Sequence, residues 1–276
     1  MGIEYLPGIQ PGMKIDLSSS RRPERSHLRP ESFLPLMKEK LAAKAEKYNQ
    51  LYSQNWLNPD GGINLPEHPD WEKDEILCED RERLFAKDNN GKTREQWLLS
   101  KEKNSASLTE IALTLSLQRL LPERFMVVRS ARYDDYNNGV DQLIIDRENG
   151  SVVCGIDELI DIEGNTAPHK KEEKVRKKML RGGANVKYGV RVEGESLCFE
   201  ELRSIPAFYL ALMPSELATL CQDLSQDEAT PTERELFSRL RSSLSQQIKS
   251  YESLPLGRNL KANVALFAQS LEAWSE

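Results

Sequence analysis

The sequence predicts an α/β protein: a mixed β-sheet with an αβββαβ core flanked by helices, with helical N- and C-terminal extensions. Three observations predict it. Residues 105–121 repeat apolar side chains at helical spacing. Residues 125–160 break into three short runs of strand type. A basic helical stretch at 170–180 separates these from two more apolar runs, at 185–192 and 205–213. A helix between strands implies a crossover and a parallel pair, and the strands before it form an antiparallel meander.

Taken in order, residues 1–30 hold Pro7, Pro11, Pro23, Pro30, three consecutive serines and the basic cluster RRPERSHLR. They read as an extended or disordered arm. Residues 31–104 form a helical N-terminal extension. Phe33, Leu36, Met37, Leu41, Ala45, Tyr48 and Leu51 mark its first helix, which NPDGG breaks. Residues 57–75, with Pro59, Pro66 and Pro69, read as loop. Helix is expected near 74–85 and again at 94–101, on either side of KDNNGKT.

The α/β core, residues 105–213, opens on SASLTEIALTLSLQRLLPERF. Leu108, Ile111, Ala112, Leu115, Leu117 and Leu120 give a broad apolar face. Ser107 with Glu110 three residues on has the capping-box pattern. FMVVRSA, VDQLIID and SVVCGIDELI are strand runs, the last two joined by Asn149-Gly150, a strong hairpin signal. KKEEKVRKKML ends at Arg181, Gly182 and Gly183 in the manner of a helix C-terminus. NVKYGVRV alternates Val186, Tyr188, Val190 and Val192 against Lys187, Gly189 and Arg191. IPAFYLALM suits a buried strand. Residues 214–276 form a helical cap of two or three helices, one of them starting at Pro231-Thr232-Glu233 and carrying Phe237, Leu240 and Leu244.

Composition narrows the function. A net charge of −6 over 276 residues excludes polyanion binding by bulk charge, so any nucleic-acid surface is a local basic patch. Four cysteines without a CxxC pair and three scattered histidines argue against zinc. Cys154, inside an apolar strand, reads as a small buried hydrophobe. No signal pattern opens the chain and no run approaches a membrane span, so the expectation is a soluble, cytoplasmic protein.

The chemistry concentrates in YDDYNNGVDQLIIDRENGSVVCGIDELID. Asp141 shares a strand face with Leu143 and Ile145, and an ionised carboxylate there is costly unless paired or bound to a cation. A hairpin centred on Asn149-Gly150 sets Asp141 opposite Glu158, with Asp157 one position off. Carboxylates so placed repel one another, and a divalent cation resolves that. Mg²⁺ favours one or two carboxylates with waters and phosphate oxygens. Glu110 has a second reading as a capping residue. Asp157 and Glu158 have one as salt-bridge partners of the basic helix, and Asp134 and Asp135 one as turn residues. Tyr133, Tyr136 and Tyr188 are candidates for base stacking or for core packing.

This order of elements resembles the PD-(D/E)XK nuclease superfamily over about residues 105–192. The motifs are a helix bearing an acid, a strand opening on Gly139-Val140-Asp141, a strand ending on Asp157, a crossover helix and a further strand. The resemblance implies that Glu110 is the helix acid, Asp141 the motif aspartate and Asp157 the first acid of the (D/E)XK element. It also implies that these residues hold Mg²⁺ or Mn²⁺, with a lysine assisting attack on a phosphodiester; the hairpin register adds Glu158 to Asp141 and Asp157 as a metal ligand. Two positions depart from the pattern: Val140 precedes the aspartate, and Leu159 stands where the lysine belongs. Losing one such electrostatic donor weakens charge stabilisation by roughly 2–4 kcal/mol. Lys171, Lys174 and Lys187 are candidates for a migrated lysine, and Lys187 is preferred because a strand holds it rigidly. Lys170, Lys171, Lys174, Lys177 and Lys178 are candidates for tracking a nucleic-acid backbone, and a solvated helix face is the commoner reading of such a run. The implied function is a Mg²⁺-dependent nuclease acting on DNA or RNA. The alternatives are a catalytically inactive nucleic-acid or protein binding module and a purely structural interaction protein.

Overall fold

The computed structural model describes residues 29–275, so most of the expected N-terminal arm lies outside the described residues. A 3₁₀ turn, Pro30–Phe33, leads into α1 (Leu34–Leu51), followed by α2 (Trp71–Asp88), α3 (Arg94–Glu102) and α4 (Ser105–Leu120). Strand β1 (Phe125–Arg129) and a π-helical turn at Asp134–Asn138 come next. Then follow β2 (Gln142–Asp146), β3 (Ser151–Ile160), α5 (Ala167–Leu180), β4 (Ala184–Glu193), β5 (Ser196–Ile205) and β6 (Ala207–Leu212). Three helices close the chain, α6 (Pro214–Leu224), α7 (Pro231–Glu252) and α8 (Arg258–Glu272).

The main sheet has the order β1-β2-β3-β6. β1, β2 and β3 form the expected antiparallel meander, and β3 pairs with β6 in parallel. The crossover therefore lands on β6, not on the strand that directly follows the helix. β4 instead pairs antiparallel with β5 in a separate two-stranded sheet. Sequence reading passed over β5, because Glu200, Glu201 and Arg203 interrupt its apolar pattern. A small hook joins this hairpin to the meander. Val192 N–H donates to Gly150 O at 2.9 Å, and a Cβ on Gly150 (φ +69°) would lie 2.1 Å from Val192 O. Only glycine permits that approach.

Both edges of the main sheet are closed. At β1, residues 61–63 run alongside Arg129. Arg129 N–H donates to Gly61 O (2.9 Å), and Ile63 N–H donates to Arg129 O (3.1 Å). At β6, the Gln247 side chain of α7 acts as a one-residue strand. Its Oε1 accepts from Tyr209 N–H (3.1 Å) and its Nε2 donates to Tyr209 O (2.9 Å). An edge satisfied in this way offers no template for a foreign strand.

One contiguous core runs through the extension, the sheet and the cap, from Met37 and Trp56 to Phe208 and Trp274. Cys154 is buried within it, as expected. Asn49 organises the turn after α1. Its Oδ1 accepts from Trp56 N–H (3.1 Å) and Leu57 N–H (3.0 Å), and its Nδ2 donates to Leu57 O (2.9 Å). Asn49→Ala strands two buried donors and one acceptor. A loss of about 2–3 kcal/mol is expected in urea unfolding, and a loss below about 0.5 kcal/mol would mean that water replaces the amide.

Candidate functional site

The site begins with the β2–β3 register. Gln142 pairs with Ile156 and Leu143 with Gly155, then a bulge between Ile144 and Ile145 shifts the pairing so that Asp146 meets Ser151. Carrying the register one step outward sets Asp141 opposite Asp157, not opposite Glu158 as a plain hairpin predicts. The Asp141 backbone is fixed on both sides: its N–H donates to Ile156 O (2.9 Å), and its carbonyl accepts from Ser130 N–H (3.0 Å). Its carboxylate Oδ2 accepts from Glu158 N–H at 2.9 Å.

Five carboxyl groups gather around this point. Asp141 stands within hydrogen-bonding range of Asp157, Glu158 and Asp135, and it feels the charge of Glu110. Carboxylates are acceptors only, so contacts between them need a shared proton. Burial pushes the Asp141 carboxyl above its ordinary range, and the Asp135 charge adds to this. Glu158 lies well above its ordinary range, through burial first and the Asp141 charge second. Asp157 is pushed up to about 6 by burial and by Asp141, against the pull of Lys171. Asp157 and Glu158 are only 4% and 7% exposed, and among the described residues Asp157 Oδ2 and both carboxyl oxygens of Glu158 have no hydrogen-bond donor. Buried acceptors without donors are rare and call for an explanation.

Cations approach from two sides. On α5, the Lys171 ammonium contacts Asp157 Oδ1, and Lys174 lies 3.8 Å from Asp157 Oδ2. Burial works against the Lys171 charge, and Asp157 and Asp141 more than offset it, so its pKa is raised. Lys178 donates to Gly139 O at 2.6 Å, and burial lowers it to about 8. Residues 171, 174 and 178 share one helix face. Lys170, Lys174 and Lys177 are exposed, and Lys177 pairs with Glu173 at 2.7 Å, so Lys171 and Lys178 are the lysines of this helix that are part-buried. On the other side, Arg129 Nη2 donates to Glu110 Oε2 (2.8 Å) and Nη1 lies 3.4 Å from Asp60 Oδ2.

Glu110 is not a capping residue. Asn104 is the N-cap of α4 and accepts from Ser107 N–H at 2.8 Å, while the Ser107 hydroxyl donates to Lys101 O. Glu110 is thus free to face the cluster. Gln142 Nε2 bonds Glu110 O (3.1 Å) and Thr114 Oγ1 (2.6 Å), which fixes α4 against the start of β2.

Lys187 is not at the site. Its ammonium lies 2.9 Å from Asp70 Oδ2 and 2.6 Å from Asp74 Oδ2, anchoring β4 to α2. The separation of β4 into its own sheet carries it away from β3. Tyr188 is buried against His68, Trp71 and Tyr133, so core packing is its role. Asp134 ties the π turn to β4, accepting from the backbone N–H groups of Lys187 (2.8 Å) and Tyr188 (3.0 Å). Asp135 faces the cluster instead, 3.9 Å from the Lys101 ammonium. Sequence reasoning assigned both acids to turn chemistry. Nothing in the YDDYNN run tells the two acids apart; the π turn at Asp134–Asn138, a conformation frequent at functional sites, separates them.

A cleft of about 700 Å³ opens on Asp141, Asp135 and Glu110. Its walls come from α1, residues 58–64, α2 and α3, and acidic side chains outnumber basic ones on it eight to four. The cluster is soft as it stands. Among the described residues no three His, Cys, Asp or Glu side chains form a ready-made cation cage. The donor set nevertheless fits a hard divalent cation: carboxylate oxygens, several of them buried and unpartnered, crowded so that protons must be retained.

No protein-family model, curated protein or solved structure matches this chain. The site has to be read from its own chemistry.

That chemistry has a pH signature. A carboxyl whose folded pKa is raised above its unfolded value of about 3.9 stabilises the fold fully at low pH. The contribution is lost as pH rises through the folded pKa. For Asp157 the window runs from about 4 to above 6, worth about 2–3 kcal/mol. In EDTA, the melting temperature of the wild type is expected to fall relative to Asp157→Asn between pH 4.5 and 8. Parallel curves would place Asp157 ionised throughout.

Proposed function

We propose that the protein is a Mg²⁺- or Mn²⁺-dependent nuclease that hydrolyses phosphodiester bonds of DNA or RNA. The observation that carries this reading is the contact of Lys171 with Asp157 inside the acidic cluster. A lysine beside the two strand carboxylates is what the PD-(D/E)XK pattern requires, and α5 supplies it in place of Leu159. Asp141, Asp157 and Glu158 would hold the cation, whose chemistry is to polarise a phosphoryl oxygen and lower the pKa of bound water. Glu110, balanced by Arg129, orients the attacking water. Lys171 stabilises the charge that develops on the phosphorane oxygens.

The test uses single-stranded and duplex oligonucleotides with Mg²⁺ or Mn²⁺. Cleavage that EDTA abolishes supports the reading, and no cleavage of either substrate with either ion overturns it. One observation favours a second reading, a catalytically inactive binding module for nucleic acid or protein: Lys171 and a shared proton already balance much of the cluster without a metal. Salt-sensitive nucleic-acid binding that survives Asp141→Asn, without cleavage, supports that module instead.

A further inference from the structure

Asp157 and Glu158 do not line the cleft, so a phosphodiester meets the cluster at Asp141, Asp135 and Glu110. The wall opposite the sheet is not a detachable lid. Residues 61–63 hydrogen-bond along Arg129, Arg129 pairs with Asp60, and Arg132 pairs with Glu75 at 2.6 Å. A cleft of about 700 Å³ is the size of a single small-ligand site. A base-paired helix presents two backbones and stacked pairs together, and cannot set one phosphodiester on this floor while α1 and α2 remain in place. An unpaired strand can, because its bases swing free of its backbone. Trp71 and Tyr136 are the aromatic rings on the lining, with Lys101 lying 4.7 Å over the Tyr136 ring. Rings and cations together are how single strands are held without sequence preference. The acidic lining works the same way. It repels a dense double backbone more than one strand whose phosphate is met by a bound cation.

We infer that the cleft admits unpaired nucleic acid and excludes duplex, so that the N-terminal extension acts as a strandedness filter on the site. The inference rests on the phosphodiester reading above. The experiment is fluorescence anisotropy on the full chain with Mg²⁺, comparing a labelled single-stranded oligonucleotide with the same sequence in a blunt duplex. The single strand is expected to bind at least about tenfold tighter. Trp71→Ala weakens it about 5- to 150-fold, the range for one stacked base. Ala42→Trp, which places a bulky ring on the cleft wall, removes the preference, and Asn64→Trp serves if Ala42→Trp does not fold. Equal or tighter duplex binding, or single-strand binding unchanged in the variants, overturns the inference. The two readings fail separately. Cleft-dependent binding without cleavage sinks the nuclease and leaves the filter. Cutting of closed duplex plasmid sinks the filter and leaves the nuclease. No binding of either nucleic acid sinks the filter outright.

Discussion

Asp141→Asn is expected to remove Mg²⁺-dependent cleavage, by at least about 10³-fold, while leaving the protein no less stable at pH 8 in EDTA. The two halves of this result come from one arrangement. Asp141 lies between Asp135, Asp157 and Glu158; burial raises all four carboxyl pKa values, and neighbouring carboxylate charge adds to the rise. Neutralising the central member relieves repulsion, and the amide oxygen of asparagine still accepts from Glu158 N–H. The metal-binding role does not survive the change, because a neutral amide is a far weaker partner for a hard cation. Activity and stability therefore move in opposite directions, as they do where function holds strained charge in place. Retained cleavage would sink the proposed mechanism. A melting temperature many degrees lower would show that the carboxylate is structural.

Lys171→Met is expected to damage both properties. Removing one electrostatic donor from a hydrolytic site costs about 10²–10³ in kcat, or about 2.7–4 kcal/mol. It also leaves Asp157, 4% exposed, without its closest cation. Breaking a buried pair costs about 3–5 kcal/mol at pH 8. The stability loss should shrink near pH 5, below the pKa of about 6, where Asp157 carries a proton and needs no partner. Lys187→Met provides the contrast. It removes a partner of buried Asp74 and destabilises the fold, with kcat expected to stay within about twofold. Equal losses of kcat in the two variants would show that folding, not position, explains the Lys171 result.

The fold was largely legible because periodicity reports burial. The α4 stripe and the β1, β2 and β3 runs follow from apolar spacing, and a parallel pair follows from the helix between strands, but not which strand completes it. β5 was not legible, because an exposed hairpin strand tolerates glutamates that a core strand excludes. At the site, Asp141 stood out because an inward carboxylate on a strand has few innocent explanations, and the structure surrounds it with Asp157, Glu158 and Glu110. Lys171 was weighed and passed over for Lys187. That choice turns on which strand pairs with β3, a long-range fact that local pattern does not contain. Asp135 was hidden differently. Its neighbour Asp134 does serve the turn, and only the π-turn geometry sends the two side chains to different places.

The bulge between Ile144 and Ile145 makes the β2–β3 hairpin a ruler rather than a tether. Its tip at residues 147–149 is largely exposed, the kind of loop that usually accepts insertions or a circular-permutation cut. Here the spacing between the bulge and Asp157 determines which acid faces Asp141. Deleting the extra residue, Val153, would restore an uninterrupted ladder with Asp157 still opposite Asp141, whereas the register beside the turn, continued without the bulge, would set Ile156 there. A slip of one residue at the bulge would be read at the far end of the strand as a change of residue, an isoleucine in place of an acid.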